Sequence, residues 1–249
     1  MVKKIMSSLS KIRRELWIKR RIQLFFEALT MNFGKMRGRQ NSYSQLGEDR
    51  TIAYYLKYLK IKDSISYVDI GANHPFIYSN TALLDEIFHI NKGILIEPNY
   101  DMFLELKKNR HVVCENIGIT GNEMGEGENE LVFYVMNEST LNTFKYEEVK
   151  ENEQRGYKLL ETRKVPVMHI NDLLKKYFEN DVIDVLTIDV EGMDDEIVKA
   201  IDYEKYQPLL MCVETSHADR DAIDTFMDGK GYKVFGLTCE NTIYVKKEN

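Results

Sequence analysis

The hydrophobic positions of this chain follow two different periods. Short runs of Val, Ile and Leu predict buried strands, and the strongest of them lie at 66–70, 93–96 and 182–190. Between these runs the apolar residues recur at helical spacing. Two alternating stretches near the end, 232–237 and 242–246, predict an antiparallel hairpin that closes one edge of a sheet. Strands that alternate with helices indicate an α/β domain with a mostly parallel sheet.

The first 33 residues contain neither Gly nor Pro and predict a long helix. Ile5, Leu9, Ile12 and Leu16 share one face of it, and cations cover the rest. Residues 1–40 carry 11 Lys and Arg against two acids, a net charge of +9, whereas the remainder carries −15. We therefore predict a basic amphipathic helical extension over 1–40 and an α/β domain over 41–249.

The charge asymmetry limits the partners of each part. The basic helix suits an anionic membrane surface, or it packs on the acidic domain or on a second subunit, which leaves a homo-oligomer open. The acidic domain argues against a nucleic-acid partner, because phosphate binding needs a basic surface. No apolar run is long enough to span a membrane, so we expect a cytoplasmic protein, peripheral at the inner membrane surface if the helix binds lipid.

One stretch has the pattern of a nucleoside-binding unit. A strand over 66–70 places Asp69 near its end and Gly71 in the following bend, and about 26 residues later a second strand ends at Glu97. A glycine turn allows close approach of a ligand, and the acid suits ribose hydroxyls. The turn lacks the later glycines of a dinucleotide motif, which disfavours an oxidoreductase. A nucleoside ligand without phosphates, such as S-adenosylmethionine, fits better.

Further acids follow two later strands. Asp189 and Glu191 come after the most apolar strand, and Glu214 ends the next one. We expect Asp189 and Glu214 to lie on adjacent strands and face a shared substrate. They would accept a proton from a hydroxyl group or hold a divalent cation, Mg²⁺ or Mn²⁺. His74 and His217 are the alternative bases, since imidazole titrates near neutral pH.

Four motifs make the chain resemble the FkbM family of S-adenosylmethionine-dependent methyltransferases. They are Tyr43–Asp49 (YSQLGED), Val68–Pro75 (VDIGANHP), Gly93–Pro98 (GILIEP) and Ile188–Gly192 (IDVEG). The resemblance covers about residues 43–245. It implies a Rossmann-like class I methyltransferase fold with seven strands, the last one antiparallel. It also implies transfer of a methyl group to a hydroxyl oxygen, often on a sugar of a glycan or on a related small molecule.

The resemblance also assigns roles to residues. The residues at Asp69, Gly71 and Asn73 would hold the methionine part, Glu97 the ribose, and Asn116 would lie near adenine, while the Ser44–Asp49 segment closes over the cofactor. The predicted cofactor-binding set is Gln45, Glu48, Asp69, Gly71, Ala72, Asn73, Glu97, Pro98 and Asn116. The predicted catalytic set is Asp189, Glu191, His217 and His74, with Asp189 and Glu214 as metal ligands. A sensor that binds S-adenosylmethionine without chemistry, and a methyltransferase for another small molecule, are the alternatives.

Overall fold

The computed structural model describes residues 42–122, 129–215 and 220–248. The predicted basic helix over 1–40 and the histidine at position 217 lie outside the described residues. The strands are β1 (Ser64–Ile70), β2 (His89–Ile96), β3 (Val113–Glu115), β4 (Gly118–Thr120), β5 (Glu130–Met136), β6 (Leu159–His169), β7 (Val185–Ile188), β8 (Leu210–Glu214), β9 (Tyr232–Leu237) and β10 (Asn241–Lys246).

Helices connect most of these strands. They are α1 (Glu48–Tyr54), α2 (Ala82–Ile87), α3 (Tyr100–Asn109), α4 (Tyr146–Gln154), α5 (Ile170–Phe178), α6 (Asp194–Ala200) and α7 (Arg220–Gly229). A π-helical turn, Tyr55–Leu59, extends α1, and a 3₁₀ turn, Ser139–Leu141, follows β5. Within the described part of the chain, no helix is long and apolar enough to span a bilayer.

The main sheet has seven strands in the order β3-β2-β1-β7-β8-β10-β9. Strands β3, β2, β1, β7 and β8 are parallel, whereas β10 runs antiparallel to both β8 and β9. The hairpin β9–β10 therefore ends the sheet on one side, and the predicted mostly parallel seven-stranded sheet is confirmed. Because β7 and β8 are neighbours, the expectation that Asp189 and Glu214 follow adjacent strands is also correct.

The central strands are buried on both faces, as their continuous apolar runs require. Side chains of β1 alternate between two cores: Val68 and Ile70 pack with α5, α6 and α7, while Ile65 and Tyr67 pack with α1 and α2. All four side chains are inaccessible to solvent. Each fully buried aliphatic side chain contributes about 1.5–3 kcal/mol, so the position of β1, and of the turn after it, is firmly determined.

A second sheet, in the order β4-β6-β5, differs from the sequence-based expectation. The pattern over 111–119 predicts one strand, but the chain forms β3 in the main sheet and then β4 in the small sheet. Asn116 lies between them, and its side-chain amide donates to the carbonyl oxygens of Glu97 and Pro98, both at 2.9 Å. Hydrophobic periodicity cannot show that a strand changes sheets, because both halves contain β-branched apolar residues.

Local details at helix starts also differ. The sequence predicts Asn171 or Asp172 as the cap of α5, but His169 precedes the helix and its Nδ1 accepts from the Asn171 N–H at 3.2 Å. The sequence predicts Asp49 or Ser44 as the cap of α1, but Gly47 occupies the cap position with φ 90° and Asp49 lies within the helix. Ser44 accepts from the N–H of Gly47 at 3.1 Å.

Candidate functional site

A cavity of about 670 Å³ lies at the carboxyl ends of the parallel strands. This is where ligands bind in open α/β sheets, and its volume is that of a small-molecule site. Six of the predicted cofactor-binding residues contribute to its wall, together with three predicted acids from the next strands. They are Gln45, Gly71, Ala72, Asn73, Glu97, Pro98, Asp189, Glu191 and Glu214.

Gly71 allows β1 and β7 to approach each other at the floor of the cavity. Its φ is 84°, and a Cβ at this position would lie 1.7 Å from the carbonyl oxygen of Asp189. Only glycine fits both constraints. The N–H groups of Gly71 and Ala72 both donate to the carbonyl oxygen of Ile96 at 3.0 Å. They therefore link β1 to β2, whereas the sequence suggests that they approach a ligand.

Glu97 is a buried carboxylate on the cavity wall. Its two oxygens accept from the N–H groups of Asn73 and Asn99, each at 2.7 Å. Burial raises the pKa of Glu97 to about 7, although these two hydrogen bonds favour the charged form. Each carboxylate oxygen has a further lone pair, so the group is able to accept hydroxyl hydrogens as well.

Two predicted cofactor residues, Asp69 and Glu48, are absent from the cavity wall and accept hydrogen bonds from other groups of the chain. Asp69 accepts from the hydroxyl groups of Thr187 at 2.5 Å and Thr81 at 2.6 Å, and it is 4% exposed. Glu48 is inaccessible to solvent and accepts from the N–H of Leu46 at 2.9 Å. Both acids are thus engaged by groups of the chain itself, and their role in cofactor binding stays a prediction.

Asn116 and His74 also lie outside the cavity wall. The amide of Asn116 holds the end of β2 through the two carbonyl contacts described above, so it positions Glu97. The Nδ1 atom of His74 accepts from the N–H groups of Phe76 at 3.1 Å and Ile77 at 3.0 Å. This histidine organises a turn, it is not among the three carboxylates that cluster on the cavity wall, and its role as a base stays a prediction.

The segment before α1 is held by its own side chains. The carboxylate of Asp49 accepts from the N–H of Tyr43 at 2.6 Å and from the hydroxyl groups of Ser42 at 2.7 Å and Ser44 at 2.8 Å. These bonds fix a loop from which Gln45 reaches the cavity wall.

Three carboxylates converge on one side of the cavity. Asp189, Glu191 and Glu214 each place an oxygen so that the three atoms lie within 4.8 Å of one another. Burial, and then the charge of Glu214, raise the pKa of Asp189 well above its ordinary value. Burial and the charge of Asp189 raise the pKa of Glu191 to about 9. The cluster therefore retains a proton at neutral pH, and a carboxylate of the cluster is able to accept a hydroxyl proton in its ionised form, which a bound cation would favour.

The turn that carries Glu191 is strained and held from two sides. Glu191 has φ 53°, unusual for a residue with a side chain. The carboxylate of Asp194 accepts from the N–H groups of Val190 at 2.9 Å and Gly192 at 3.1 Å. The hydroxyl of Thr143 donates to the carbonyl oxygen of Glu191 at 2.8 Å. Strain that surrounding contacts maintain in this way is common at functional sites.

A large part of the remaining wall comes from the segment between β5 and β6, which the sequence predicts to be polar and partly helical. It contributes Glu138, Ser139, Thr140, Leu141, Asn142, Phe144, Arg155 and Tyr157. From the sequence, the segment Glu138–Lys158 is expected to select the methyl acceptor, but its polar, irregular pattern singles out no individual residue. One available signal was Gly156, which follows a helical pattern and indicates a helix end there.

The sheet order, the antiparallel hairpin and the cavity above β1 and β2 define a class I methyltransferase fold. The family model described as "Methyltransferase FkbM domain" matches residues 69–234, more than half of the chain. The chain therefore belongs to the FkbM methyltransferase domain family, as its motifs predict. Fold and family are those of S-adenosylmethionine-dependent methyltransferases.

Solved structures of methyltransferases are similar to this chain at low identity. The methyltransferase FkbM of Methylobacillus flagellatus KT is 15% identical, with a TM-score of 0.45 over 74% of this chain and 44% of that one. The present chain thus spans less than half of that relative. The TrmK protein of M. capricolum, in complex with S-adenosylhomocysteine, is 13% identical, with a TM-score of 0.39 over 82% and 67% of the two chains. A search of curated proteins gave no match.

Proposed function

We propose that this protein is an S-adenosylmethionine-dependent O-methyltransferase that acts on a hydroxyl group of a sugar, a glycan or a related small molecule. One observation carries the proposal. Three carboxylates converge within 4.8 Å on the wall of the same cavity that contains the Gly71 turn and Glu97. A nucleoside cofactor and a proton-accepting group are the two requirements of hydroxyl methylation.

The cavity residues fit S-adenosylmethionine. Gly71 and Ala72 line the cavity at the end of β1, where the missing Cβ of Gly71 makes room for the Asp189 carbonyl oxygen, and the Glu97 carboxylate retains lone pairs for the ribose hydroxyls. Asn73, Ala72 and Pro98 would complete the contacts. In this proposal Asp69 and Asn116 act indirectly, because they hold the ends of β1 and β2 in place.

The chemistry is an in-line displacement. The methyl carbon forms a bond to the acceptor oxygen while its bond to the sulfonium sulfur breaks, and the hydroxyl proton passes to a carboxylate. The cofactor supplies the activated methyl group, and the protein aligns the oxygen and removes its proton. Asp189 and Glu191 are the proposed proton acceptors. Alternatively, Asp189 and Glu214 hold Mg²⁺ or Mn²⁺, which would acidify the hydroxyl group.

The part of the cavity wall that comes from the segment between β5 and β6 is suited to a polar acceptor. Ser139, Thr140 and Asn142 provide hydrogen-bonding groups, and Tyr157 provides a ring. The net charge of −15 over residues 41–249 argues against a nucleic-acid acceptor. The basic segment 1–33 is proposed to contact an anionic inner-membrane surface or a protein partner. Co-sedimentation of the full chain with phosphatidylglycerol vesicles tests the proposed contact with the membrane.

The decisive experiment measures methyl transfer from S-adenosylmethionine to a panel of nucleotide sugars, sugar phosphates and glycan fragments, with and without Mg²⁺ or Mn²⁺. We expect turnover in the wild type, and a loss of at least about a hundredfold in Asp189→Asn. Asp195→Asn is the matched control, because Asp195 pairs with Lys199 on the surface of α6. If Asp189→Asn loses methyl transfer only in assays that contain Mg²⁺ or Mn²⁺, Asp189 acts as a ligand of the cation.

Cofactor binding separates the alternatives. A rise in melting temperature with S-adenosylmethionine but no turnover on any acceptor would support the sensor. No rise with S-adenosylmethionine or S-adenosylhomocysteine would contradict the proposed function.

A further inference from the structure

Arg155 differs in charge from the other ionisable groups of the cavity. Within the described residues it is the one Lys or Arg on the wall, whereas the wall includes six acids. These acids are Glu97, Glu138, Asp189, Glu191, Glu214 and Glu240. In such surroundings a guanidinium group would ordinarily pair with a carboxylate. Arg155 is exposed to solvent and forms no ion pair with a carboxylate of the described residues, so its charge is hydrated and accessible to a ligand in the cavity.

The backbone around Arg155 is fixed by the end of α4. Gly156 adopts φ 95°, its N–H donates to the carbonyl oxygen of Glu153 at 3.0 Å, and the N–H of Tyr157 donates to that of Asn152 at 3.0 Å. These two bonds form a Schellman motif, in which the glycine takes the left-handed conformation. Arg155 and Tyr157 therefore project from a defined turn.

The side chain of Arg155 is oriented by neutral partners. Its Nη1 donates to the Oδ1 atom of Asn152 at 3.1 Å, and Asn152 is 3% exposed. Its guanidinium lies 5.7 Å from the centre of the Tyr157 ring. An amide and an aromatic ring direct the cation without neutralising it, and the remaining N–H groups are available to an oxyanion.

Helix α4 adjoins the acids rather than the predicted cofactor residues. A Cβ at Gly192 would lie 3.1 Å from the side chain of Glu148, which is in α4. Thr143, three residues before the helix, donates to the Glu191 carbonyl oxygen. By contrast, the predicted cofactor residues Gly71 and Glu97 follow β1 and β2. Arg155 follows the other end of the same helix and lines the same cavity as the groups proposed to activate the acceptor.

We propose that Arg155 binds an oxyanion, a carboxylate or a phosphate, on the methyl acceptor. This inference rests on the proposed function and deepens it, since it narrows the acceptor to a sugar acid, a sugar phosphate or a molecule with an equivalent group. A guanidinium binds both anions through paired hydrogen bonds. The acceptor hydroxyl would then face the acids, with its anionic group kept at the cationic end of the wall.

The test is calorimetric binding of three probes to protein saturated with S-adenosylhomocysteine. The probes are methyl glucuronide, glucose 6-phosphate and the neutral methyl glucoside. We expect at least one anionic probe to bind about tenfold or more tightly than the neutral one. Arg155→Met should abolish this preference and Arg155→Lys should keep part of it. Lys158→Met, which removes an exposed cation outside the wall, should leave it unchanged.

Two results would overturn the inference. One is a wild type that shows no preference for either anionic probe, with or without S-adenosylhomocysteine. The other concerns a second source of carboxylate, the methionine part of the cofactor. If Arg155→Met weakens S-adenosylhomocysteine but not 5′-methylthioadenosine, which lacks that carboxylate, Arg155 serves the cofactor instead. Failure of the proposed function is distinct, because S-adenosylhomocysteine would then not bind the wild type at all.

Discussion

The buried carboxyl group of Glu97 should make the stability of this protein depend on pH. Its pKa is about 7 in the folded protein against an ordinary value of 4.5, because burial disfavours the charged form. In the unfolded chain the group ionises near its ordinary value. Between these two pKa values the unfolded state binds fewer protons, so the free energy of unfolding falls as pH rises. The stabilisation is complete below pH 4.5 and is lost by about pH 7.

The size of the effect follows from the two pKa values. Each pKa unit corresponds to about 1.4 kcal/mol, so ionisation of Glu97 destabilises the folded state by about 3 kcal/mol across this interval. Gln resembles the protonated form in shape and does not titrate. Relative to Glu97→Gln, the wild type should therefore lose about 3 kcal/mol between pH 4.5 and 7.5.

Urea unfolding followed by circular dichroism at four pH values measures this difference. Taking the difference between wild type and variant cancels the titration of other groups. Glu115→Gln is the control. Burial raises the pKa of Glu115, but hydrogen bonds from Lys176 and Tyr177 outweigh it and leave the pKa lowered. The ionised carboxylate of Glu115 therefore stabilises the folded state, and this stabilisation is lost as pH falls. The change with pH is opposite in sign to that of Glu97. A wild-type minus Glu97→Gln difference that is constant with pH would refute the reasoning.

Two further substitutions test the architecture. In Gly71→Ala the new Cβ would meet the Asp189 carbonyl oxygen at 1.7 Å, so we expect loss of S-adenosylhomocysteine binding in a thermal-shift assay and a clearly lower melting temperature. Gly231→Ala, with φ 85° but open space around the Cβ, should cost only about 1 kcal/mol and retain binding; equal effects of the two would exclude the steric explanation. Arg110→Met removes a 5% exposed cation that forms an ion pair of 2.8 Å with Asp85, and should lower the free energy of unfolding by about 3–5 kcal/mol in urea. A loss below about 1 kcal/mol would show that the pair acts as a surface pair.

The elements could be predicted from local pattern, but their fine boundaries could not. The apolar spacing predicts helices over Tyr100–Asn109 and Ile170–Phe178, and these are the observed bounds of α3 and α5. Strand β2 starts at His89, four residues before the predicted start, since its first residues alternate in exposure and resemble a helix end. The divided strand around Asn116 was missed because its turn depends on two carbonyl groups about 20 residues earlier in the chain.

The sequence by itself determined the sheet, the glycine turn and the acids at the strand ends. Continuous apolar runs require central parallel strands, and parallel strands bring their carboxyl ends to one edge. Asp189, Glu191 and Glu214 meet there for that reason, and Gly71 is needed because two strands nearly touch.

Only the tertiary structure decided which side chains face the cavity. Asp69 and Glu97 both carry a carboxyl group next to the end of a strand. The carboxylate of Asp69, however, accepts a hydrogen bond from Thr187, 118 residues later in the chain. Nothing in the sequence distinguishes Arg155 from the other cations of the chain, whereas the structure places it on a cavity wall that contains six acids. The orientation of a polar side chain depends on hydrogen-bond partners from distant segments, and the periodicity of the sequence does not predict those contacts.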